Sequence, residues 1–357
     1  MVKREKMEII LLIIIICFVV YCIKKTKIDT GDTRHQVYDD IEEKPSVATN
    51  YKEVEETIDD LVPVFPEIEE LSEETESEIR DPFMIEEDTE YSMYLNSVYK
   101  LEVSDIQKFA REEAKTLPPP AGRGKIPLKD EIAMSQYVKS YANMHYAKIR
   151  YAVENLMWLE NLDYIRIVDW GCGVGLATIS FLEVTQLDNC SFYTLIEPSE
   201  VSLKRASLHT KLFHEQQSNR KFECRTINKE FDELSDIDVM QSPEFGNITV
   251  HLFSNVLDVE SYDLGHLVRL IKDTQMGKNI FICVSPYQTE RLRSRIDDFV
   301  TFFSDCFDFQ MICSDESKKE DPVWSCNSLF KGYQCYNDCE QCNSKWTKIV
   351  RVFSVNL

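Results

Sequence analysis

Three glycines at alternate positions follow an apolar run in the segment IRIVDWGCGVGLATISFL, residues 165–182. Gly171, Gly173 and Gly175 carry no side chains, so a ligand can lie directly against the backbone at this turn. The motif is not that of a dinucleotide-binding turn, because Leu176 stands where the last glycine is needed. It is not a phosphate-binding loop either, because that loop requires a Gly-Lys-Ser/Thr sequence. The turn therefore predicts a site for some other ligand.

Two acidic residues end neighbouring apolar runs and could face this ligand. Asp169 ends the first run, just before the glycines, and Glu197 ends the next run in the segment YTLIEPSE. The carboxylate of Asp169 could meet an ammonium group or orient the N–H groups of the turn. Glu197 lies 22 residues past Gly175, the distance at which α/β folds place an acid on ribose hydroxyl groups.

Apolar runs and helix-like patterns alternate through the C-terminal half of the chain. The predicted strands are residues 165–170, 191–196, 222–227, 248–253, 279–284, 307–313 and 346–355. The predicted helices are residues 176–185, 199–214, 263–275 and 289–303, the second of them capped by Ser199. Such alternation predicts a parallel sheet with helices on both faces. No helix is predicted between the last two strands, so they could form an antiparallel pair at one edge.

The glycine turn with its second acid resembles the class I S-adenosylmethionine (SAM)-dependent methyltransferases, over about residues 165–355. The resemblance implies that residues 161–357 form a Rossmann-like, doubly wound sheet of seven mostly parallel strands in the order 3-2-1-4-5-7-6. It also implies SAM as the cofactor of an enzyme. Asp169 and the Gly171–Gly175 loop would contact the methionine part of SAM, and Glu197 would hold the ribose.

The resemblance places further candidates after the third and fourth strands. Asn228, in the segment INKEF, would lie by the adenine of the cofactor. Ser254, Asn255 and Asp258, in FSNVLD, would lie beside the methyl group, Ser254 as a cofactor contact and the other two as candidate catalytic residues. Asn255 could hold an amide or hydroxyl group, and Asp258 could take a proton. Asp258 could equally cap the next helix, and the chain could be an inactive methyltransferase-like module that binds a partner.

Four cysteines fall between the last two predicted strands, in an insert of residues 326–342. Cys326, Cys335, Cys339 and Cys342 have the spacing C-x8-C-x3-C-x2-C. Four thiolates could bind zinc or hold an iron–sulfur cluster, although zinc sites more often show two C-x2-C pairs. They could also be free thiols. A metal here would fit a third hypothesis, an RNA methyltransferase guided by the insert.

Residues 91–160 form a helical lead-in to the sheet. Helices are predicted over residues 104–116 and 129–160. The segment LPPPAGRGKIPL between them cannot be helical, because three consecutive prolines remove N–H donors. Tyr141 and His145 share one face of the second helix, where they could close the cofactor pocket or simply pack.

The N-terminal segment predicts a membrane anchor. Residues 9–23 are uncharged, and lysine and arginine flank them on both sides. As a helix they would be about 23 Å long, and Met7, Glu8 and snorkelling lysines could extend them towards the roughly 30 Å of a hydrocarbon core. No small-x-small cleavage site follows, which argues against a signal peptide. The prediction is one uncleaved transmembrane helix over residues 7–25.

An acidic segment, residues 28–90, separates this anchor from the lead-in. It contains 23 Asp and Glu against 4 Lys and Arg, so it carries about −19 of the net charge of −22. Self-repulsion and scarce apolar surface favour a disordered tether, and the alternative is a docking segment for a basic protein partner. The acidity does not favour nucleic acid as a partner, although a local basic patch on the folded part would permit it.

The cysteines favour the cytoplasm for the folded part. Ten of the twelve lie beyond the apolar segment, and Cys172 in the glycine turn and Cys283 in a predicted strand have the positions of ordinary reduced residues. The implied cofactor is also an intracellular metabolite. The expectation is a single-pass membrane protein whose catalytic domain faces the cytoplasm and acts on an unidentified protein, lipid or small molecule.

Overall fold

The computed structural model describes residues 90–318 and 346–357, apart from residues 121, 123–124, 155, 157–158, 160–163, 219 and 242–247. They belong to the second of two units, Ser72–Leu357. The predicted anchor, the tether before Glu90 and the cysteine insert lie outside the described residues. Within the described ranges, no helix is long and apolar enough to cross a membrane.

The strands of the described part form one sheet. They are β1 Ile165–Trp170, β2 Cys190–Ile196, β3 Glu223–Ile227, β4 Ile248–Ser254, β5 Lys278–Ser285, β6 Gln310–Ser317 and β7 Lys348–Asn356. In these residues the sheet has seven strands in the order β3-β2-β1-β4-β5-β7-β6. The first five strands pair in parallel, and β7 is antiparallel to both β5 and β6. The predicted strand order and the predicted antiparallel edge are confirmed.

Helices connect the strands and precede the sheet. They are α1 Glu90–Asn96, α2 Val103–Ala114, α3 Glu131–Val153, α4 Leu176–Thr185, α5 Glu200–Gln217, α6 Asp236–Val239, α7 Leu264–Thr274 and α8 Glu290–Phe303. Ile165 and Ile167 of β1 belong to one buried apolar cluster, and Val168 and Trp170 belong to another. Because successive side chains of a strand point to opposite faces, the two clusters lie on the two faces of the sheet.

The predicted helix over residues 129–160 is shorter in the structure. It begins after Asp130, whose carboxylate accepts a hydrogen bond from the backbone N of Ala133 at 2.8 Å, and it ends at Val153. Leu156 and Leu159, beyond this end, are fully buried. The apolar spacing from which the helix was predicted therefore runs past the end of the helix itself. α3 packs against α4 and β5, which brings the lead-in to the sheet.

The sixth strand lies further along the chain than residues 307–313, so that prediction is wrong in position. Phe307 is 79% exposed and Asp308 has a φ of 57°, and both belong to the turn before β6. β6 is an edge strand whose last residues are polar, and Glu316 forms an ion pair with Arg351 of β7 at 3.0 Å. Because β6 is held by ion pairs of this kind, its sequence does not show the apolar pattern from which strands are predicted.

Candidate functional site

The glycine turn between β1 and α4 leaves bare backbone at one position. Gly173 and Gly175 have φ values of 54° and 77°, a region in which residues with a Cβ are strained. A Cβ on Gly173 would meet nothing within 4 Å, whereas one on Gly175 would lie 3.1 Å from the Cα of Ala206. Gly175 therefore lets the turn pack closely on α5, and Gly173 faces open space.

Asp169 is fully buried beneath the turn. Its Oδ2 accepts hydrogen bonds from the backbone N of Thr178 at 3.3 Å and from its Oγ1 at 2.7 Å, while Oδ1 has no hydrogen-bond partner in the described part of the chain. Burial raises the pKa of Asp169 from 3.8 to about 7, although the Thr178 hydrogen bonds act to lower it. Thr178 belongs to the first turn of α4, so both expected roles, orienting the N–H groups of the glycine turn and meeting an ammonium group, stay predictions. A contact with the methionine part of SAM stays a prediction.

Glu197, at the end of β2, lies against the turn. Its Oε2 accepts a hydrogen bond from the backbone N of Gly173, and its Oε1 accepts one from the backbone N of Ser199, both at 3.0 Å. The residue is 9% exposed, and burial raises the pKa of its carboxyl from 4.5 to about 7. The Ser199 hydroxyl in turn caps α5 as predicted, because it accepts from the backbone N of Ser202 at 3.3 Å.

Asn228 supports the chain behind Glu197. Its amide donates to the backbone carbonyls of Glu197 and Pro198, both at 2.9 Å. Asn228 is exposed, and these contacts hold the end of β2. The predicted contact between Asn228 and an adenine stays a prediction.

A crevice opens above the turn, at the C-terminal ends of β1, β2 and β4, where open α/β sheets bind their ligands. Its space is about 850 Å³, part of it open to solvent. The structure brings these predicted site residues together in its wall: Gly171, Gly173, Glu197, Ser254 and Asn255. Its apolar wall includes Ile126, Leu128, Phe231, Val256 and Tyr262.

Asn255 follows β4 with a left-handed φ of 60°, a conformation that asparagine tolerates better than most residues. Its Nδ2 lies 2.7 Å from Nδ1 of His145 and 3.0 Å from Oγ of Ser254. Its Oδ1 accepts a hydrogen bond from Nζ of Lys148. Side-chain hydrogen bonds thus join the end of β4 to α3.

Helix α3 supplies site residues that sequence reasoning missed, namely Lys148 and Tyr137. Lys148 is fully buried, and burial lowers its pKa to about 7 against the opposing effect of Asp258. Burial and the charge of Lys148 also hold the pKa of His145 well below 6.5. The hydroxyl of Tyr137 lies 3.0 Å from Nε2 of His145. The available signal was the spacing of polar side chains at Tyr137, Tyr141, His145 and Lys148, which puts them on one helical face.

Asp258 is 2% exposed and lies beyond the end of β4. Its Oδ1 accepts from Oγ of Ser285 at 3.0 Å, and its Oδ2 accepts from Nε2 of Gln288 at 3.2 Å. The expectation that Asp258 caps the next helix is wrong. α7 begins after Asp263, whose carboxylate accepts from the backbone N of Gly265 at 2.7 Å.

A second and larger cavity adjoins the crevice. It has about 1,760 Å³ of space, including space open to solvent. Asp258 lies in its wall, and Tyr137 and Asn255 line both spaces. Further polar and aromatic residues line it: Tyr141, His145, Tyr287 and Gln288. The side chains of α3 therefore stand where the two spaces meet.

The predicted metal ligands, Cys326, Cys335, Cys339 and Cys342, lie outside the described residues. In the ranges that the structure describes, no group of three or more His, Cys, Asp or Glu side chains could hold a metal ion. The four-cysteine site stays a prediction.

The strand order and the antiparallel seventh strand form the Rossmann-like sheet that the resemblance to the class I SAM-dependent methyltransferases implied. No protein-family profile and no curated protein sequence matches the chain.

The solved structures to which the chain is similar include SAM-dependent methyltransferases. The plantazolicin methyltransferase BpumL in complex with SAH is 11% identical, over 71% of this chain and 98% of that chain, with a TM-score of 0.39. An arsenic(III) methyltransferase from Chlamydomonas reinhardtii is 14% identical, over 56% of this chain and 64% of that chain, with a TM-score of 0.34. A SAM-dependent methyltransferase from Leishmania major is 12% identical, over 73% of this chain and 89% of that chain, with a TM-score of 0.34.

Proposed function

We propose that the chain is a SAM-dependent methyltransferase. The observation that supports this most directly is the carboxylate of Glu197, which lies against the bare backbone of Gly173 in the wall of the crevice. Each carboxylate oxygen can accept a further hydrogen bond, so Glu197 can still hold the two hydroxyls of a ribose. The rest of the crevice fits the cofactor, because Phe231 and Tyr262 offer aromatic surface to an adenine and Asp169 keeps an unused oxygen beneath the turn.

The residues of the chain have to position the acceptor and exclude water. Bound SAM supplies an electrophilic methyl group, and most of the catalytic effect then comes from placement. Asn255 is suited to this because it lines both the crevice and the second cavity. An acceptor that carries a proton must lose it on methylation. Asp258 is the candidate to take that proton, because it lies in the wall of the second cavity.

Calorimetric titration of the full chain with S-adenosylhomocysteine (SAH) tests this proposal. We expect Glu197→Gln to weaken binding about 10- to 100-fold, because hydrogen bonds to a charged acceptor contribute roughly 1.5–3 kcal/mol. Glu200→Gln is the matched control, since Glu200 is exposed on the first turn of α5 and should not affect affinity. No binding at millimolar SAH, or equal affinity in the Glu197→Gln variant, would overturn the proposal.

We further propose that residues 7–25 anchor the chain in a membrane, with the folded part in the cytoplasm and the acceptor nearby. The uncharged run and its flanking lysines support the anchor, whereas the cysteines with the positions of reduced residues and the intracellular cofactor support the cytoplasmic side. An alkaline wash should leave the full chain on membranes and release a chain that lacks residues 1–27. A membrane-impermeant maleimide should label partly exposed cysteines such as Cys224 and Cys306 only after cells are opened. Release of the full chain, or labelling of intact cells, would contradict the anchor or its orientation.

The class of acceptor separates this enzyme from the two other hypotheses. Methyl-labelled SAM can be incubated with the full chain and with membrane, protein and RNA fractions. Labelled protein, lipid or small molecule supports the tethered enzyme. SAM binding without any labelled product supports an inactive binding module, and labelled RNA together with tightly held metal supports the RNA methyltransferase with a metal-binding cysteine insert.

A further inference from the structure

Four side chains form a hydrogen-bonded series at the boundary between the crevice and the second cavity. Lys148 contacts Asn255, Asn255 contacts His145, and His145 contacts Tyr137. A charged lysine can donate hydrogen bonds but cannot accept them. The direction of each hydrogen bond in the series therefore follows from Lys148.

Lys148 fixes the orientation of the Asn255 amide. An ammonium group has three donors and no acceptor, so the oxygen of the amide must face Nζ. The amide nitrogen then faces His145, with Nδ2 of Asn255 at 2.7 Å from Nδ1 of the ring. The pKa of Lys148 is about 7, and below that pH its ammonium group can only donate, which holds the amide in this orientation.

The Asn255 amide decides the tautomer of His145. Nδ2 of Asn255 lies nearer to Nδ1 of the ring, at 2.7 Å, than to Nε2, at 3.3 Å, so we assign the accepting role to Nδ1, which then carries no hydrogen. Burial beside Lys148 keeps the pKa of His145 well below 6.5, and the ring is therefore neutral. The single hydrogen of a neutral ring then lies on Nε2.

Tyr137 is the last member of the series. Its hydroxyl oxygen lies 3.0 Å from Nε2 of His145 and accepts the hydrogen bond from it. Burial raises the pKa of Tyr137 above its usual value, so the hydroxyl keeps its own proton. Because Tyr137 lines both spaces, it can donate this proton in a hydrogen bond where the spaces meet.

We infer that Lys148 is a positioning residue that, through Asn255, holds His145 as the Nε2–H tautomer and leaves the Tyr137 hydroxyl as a hydrogen-bond donor to the methyl acceptor. The acceptor group that such a donor fits is an oxygen, because an oxygen keeps a second lone pair to attack the methyl group. The tautomer depends only on contacts within the chain, whereas the contact with the acceptor rests on the proposed function.

Nitrogen NMR of the full chain with ¹⁵N-labelled histidine reads the tautomer directly. We expect an Nε2–H ring for His145 in the unchanged chain. Asn255→Asp should place a hydrogen on Nδ1, because a carboxylate beside that nitrogen can only accept. Lys148→Met should cause loss of the single tautomer, because the Asn255 amide is then free to turn over. An Nδ1–H ring in the unchanged chain, or the same ring in all three proteins, would overturn the inference.

His251 is an internal control for these variants. Its Nδ1 accepts from Nε1 of Trp170 at 3.1 Å, and its Nε2 lies 2.9 Å from Oδ1 of Asn279. It therefore has the same tautomer for reasons that do not involve Lys148, and its signals should not shift. If Lys148→Met disturbs the fold, the His251 signals will shift. The Asn255→Asp variant then decides whether residue 255 sets the tautomer of His145.

Methyl transfer tests the contact of Tyr137 with the acceptor. The assay uses methyl-labelled SAM and whichever fraction the full chain labels. At saturating SAM, Tyr137→Phe should lower the transfer rate about tenfold, the effect of one lost hydrogen bond. An unchanged rate would overturn the role of Tyr137. Failure of the unchanged chain to bind SAH would instead overturn the proposed function, whatever the tautomer of His145.

Discussion

The two sides of the candidate site are held together in different ways. On the crevice side, Glu197 and Asp169 bind the N–H groups of nearby turns and helix starts, and the contacts span at most 24 residues. On the other side, Lys148 and His145 reach Asn255 through side chains 107 and 110 residues apart. Local contacts to the main chain leave a motif in the sequence, whereas contacts between distant side chains do not. The acceptor side therefore depends more on tertiary packing than the cofactor side.

The largest effect should come from breaking the acceptor side at Asn255. Asn255→Leu leaves the buried amine of Lys148 without this hydrogen-bond partner, so the free energy of unfolding should fall by about 1.5–3 kcal/mol. Ser254→Ala is the control beside it and should cost about 1 kcal/mol. Urea denaturation measures both, and equal losses would show that the Lys148 contact does not hold this side together.

A smaller effect should come from the glycine turn. Gly175→Ala adds left-handed strain of about 1–2 kcal/mol, and its Cβ would also press on the backbone of Ala206. Gly173→Ala adds the same strain but meets open space, so it should be the more stable variant. We expect the order to reverse for SAH binding, because a methyl group at Gly173 lies in the crevice. Denaturation and calorimetry together check this, and a weaker SAH affinity in the Gly175→Ala variant would contradict it.

A third prediction concerns pH. The pKa values of Asp169 and Glu197 rise from 3.8 and 4.5 to about 7 in the folded chain, so folding disfavours their ionised forms. The stability that these groups contribute is complete below their unfolded pKa values and is lost as pH rises to about 7. Asp169→Asn removes one titration, so its stability relative to the unchanged chain should increase from about pH 4 to pH 7. Denaturation along this pH series would contradict the prediction if the difference were constant.

The smallest effect should come from Asn228. Because its amide contacts only main-chain carbonyls and is exposed, Asn228→Ala should cost about 0.5–1 kcal/mol of stability. SAH affinity should fall less than in the Glu197→Gln variant. A loss as large as that of Glu197→Gln would instead make Asn228 a direct cofactor contact, as the resemblance implied.

The difference between the two sides also explains what the sequence could predict. The strand order, the glycine turn and Glu197 follow from the geometry of consecutive strand–helix units, which fixes where strand ends meet. The position of β6 depends on ion pairs with β7, and the end of α3 depends on packing. Neither boundary is therefore marked by an apolar periodicity in the sequence. Lys148 is a residue type that is usually exposed, and only its spacing from His145 on α3 marks it as part of the site.

The distance between Lys148 and its partner has a consequence for biosynthesis. Lys148 leaves the ribosome 107 residues before Asn255, which at about 5–20 residues per second is roughly 5–20 s. A lysine cannot be desolvated alone without a large penalty, so its ammonium group has to stay hydrated during this delay. The nascent lead-in helix can therefore seal against the sheet only after β4 has been translated.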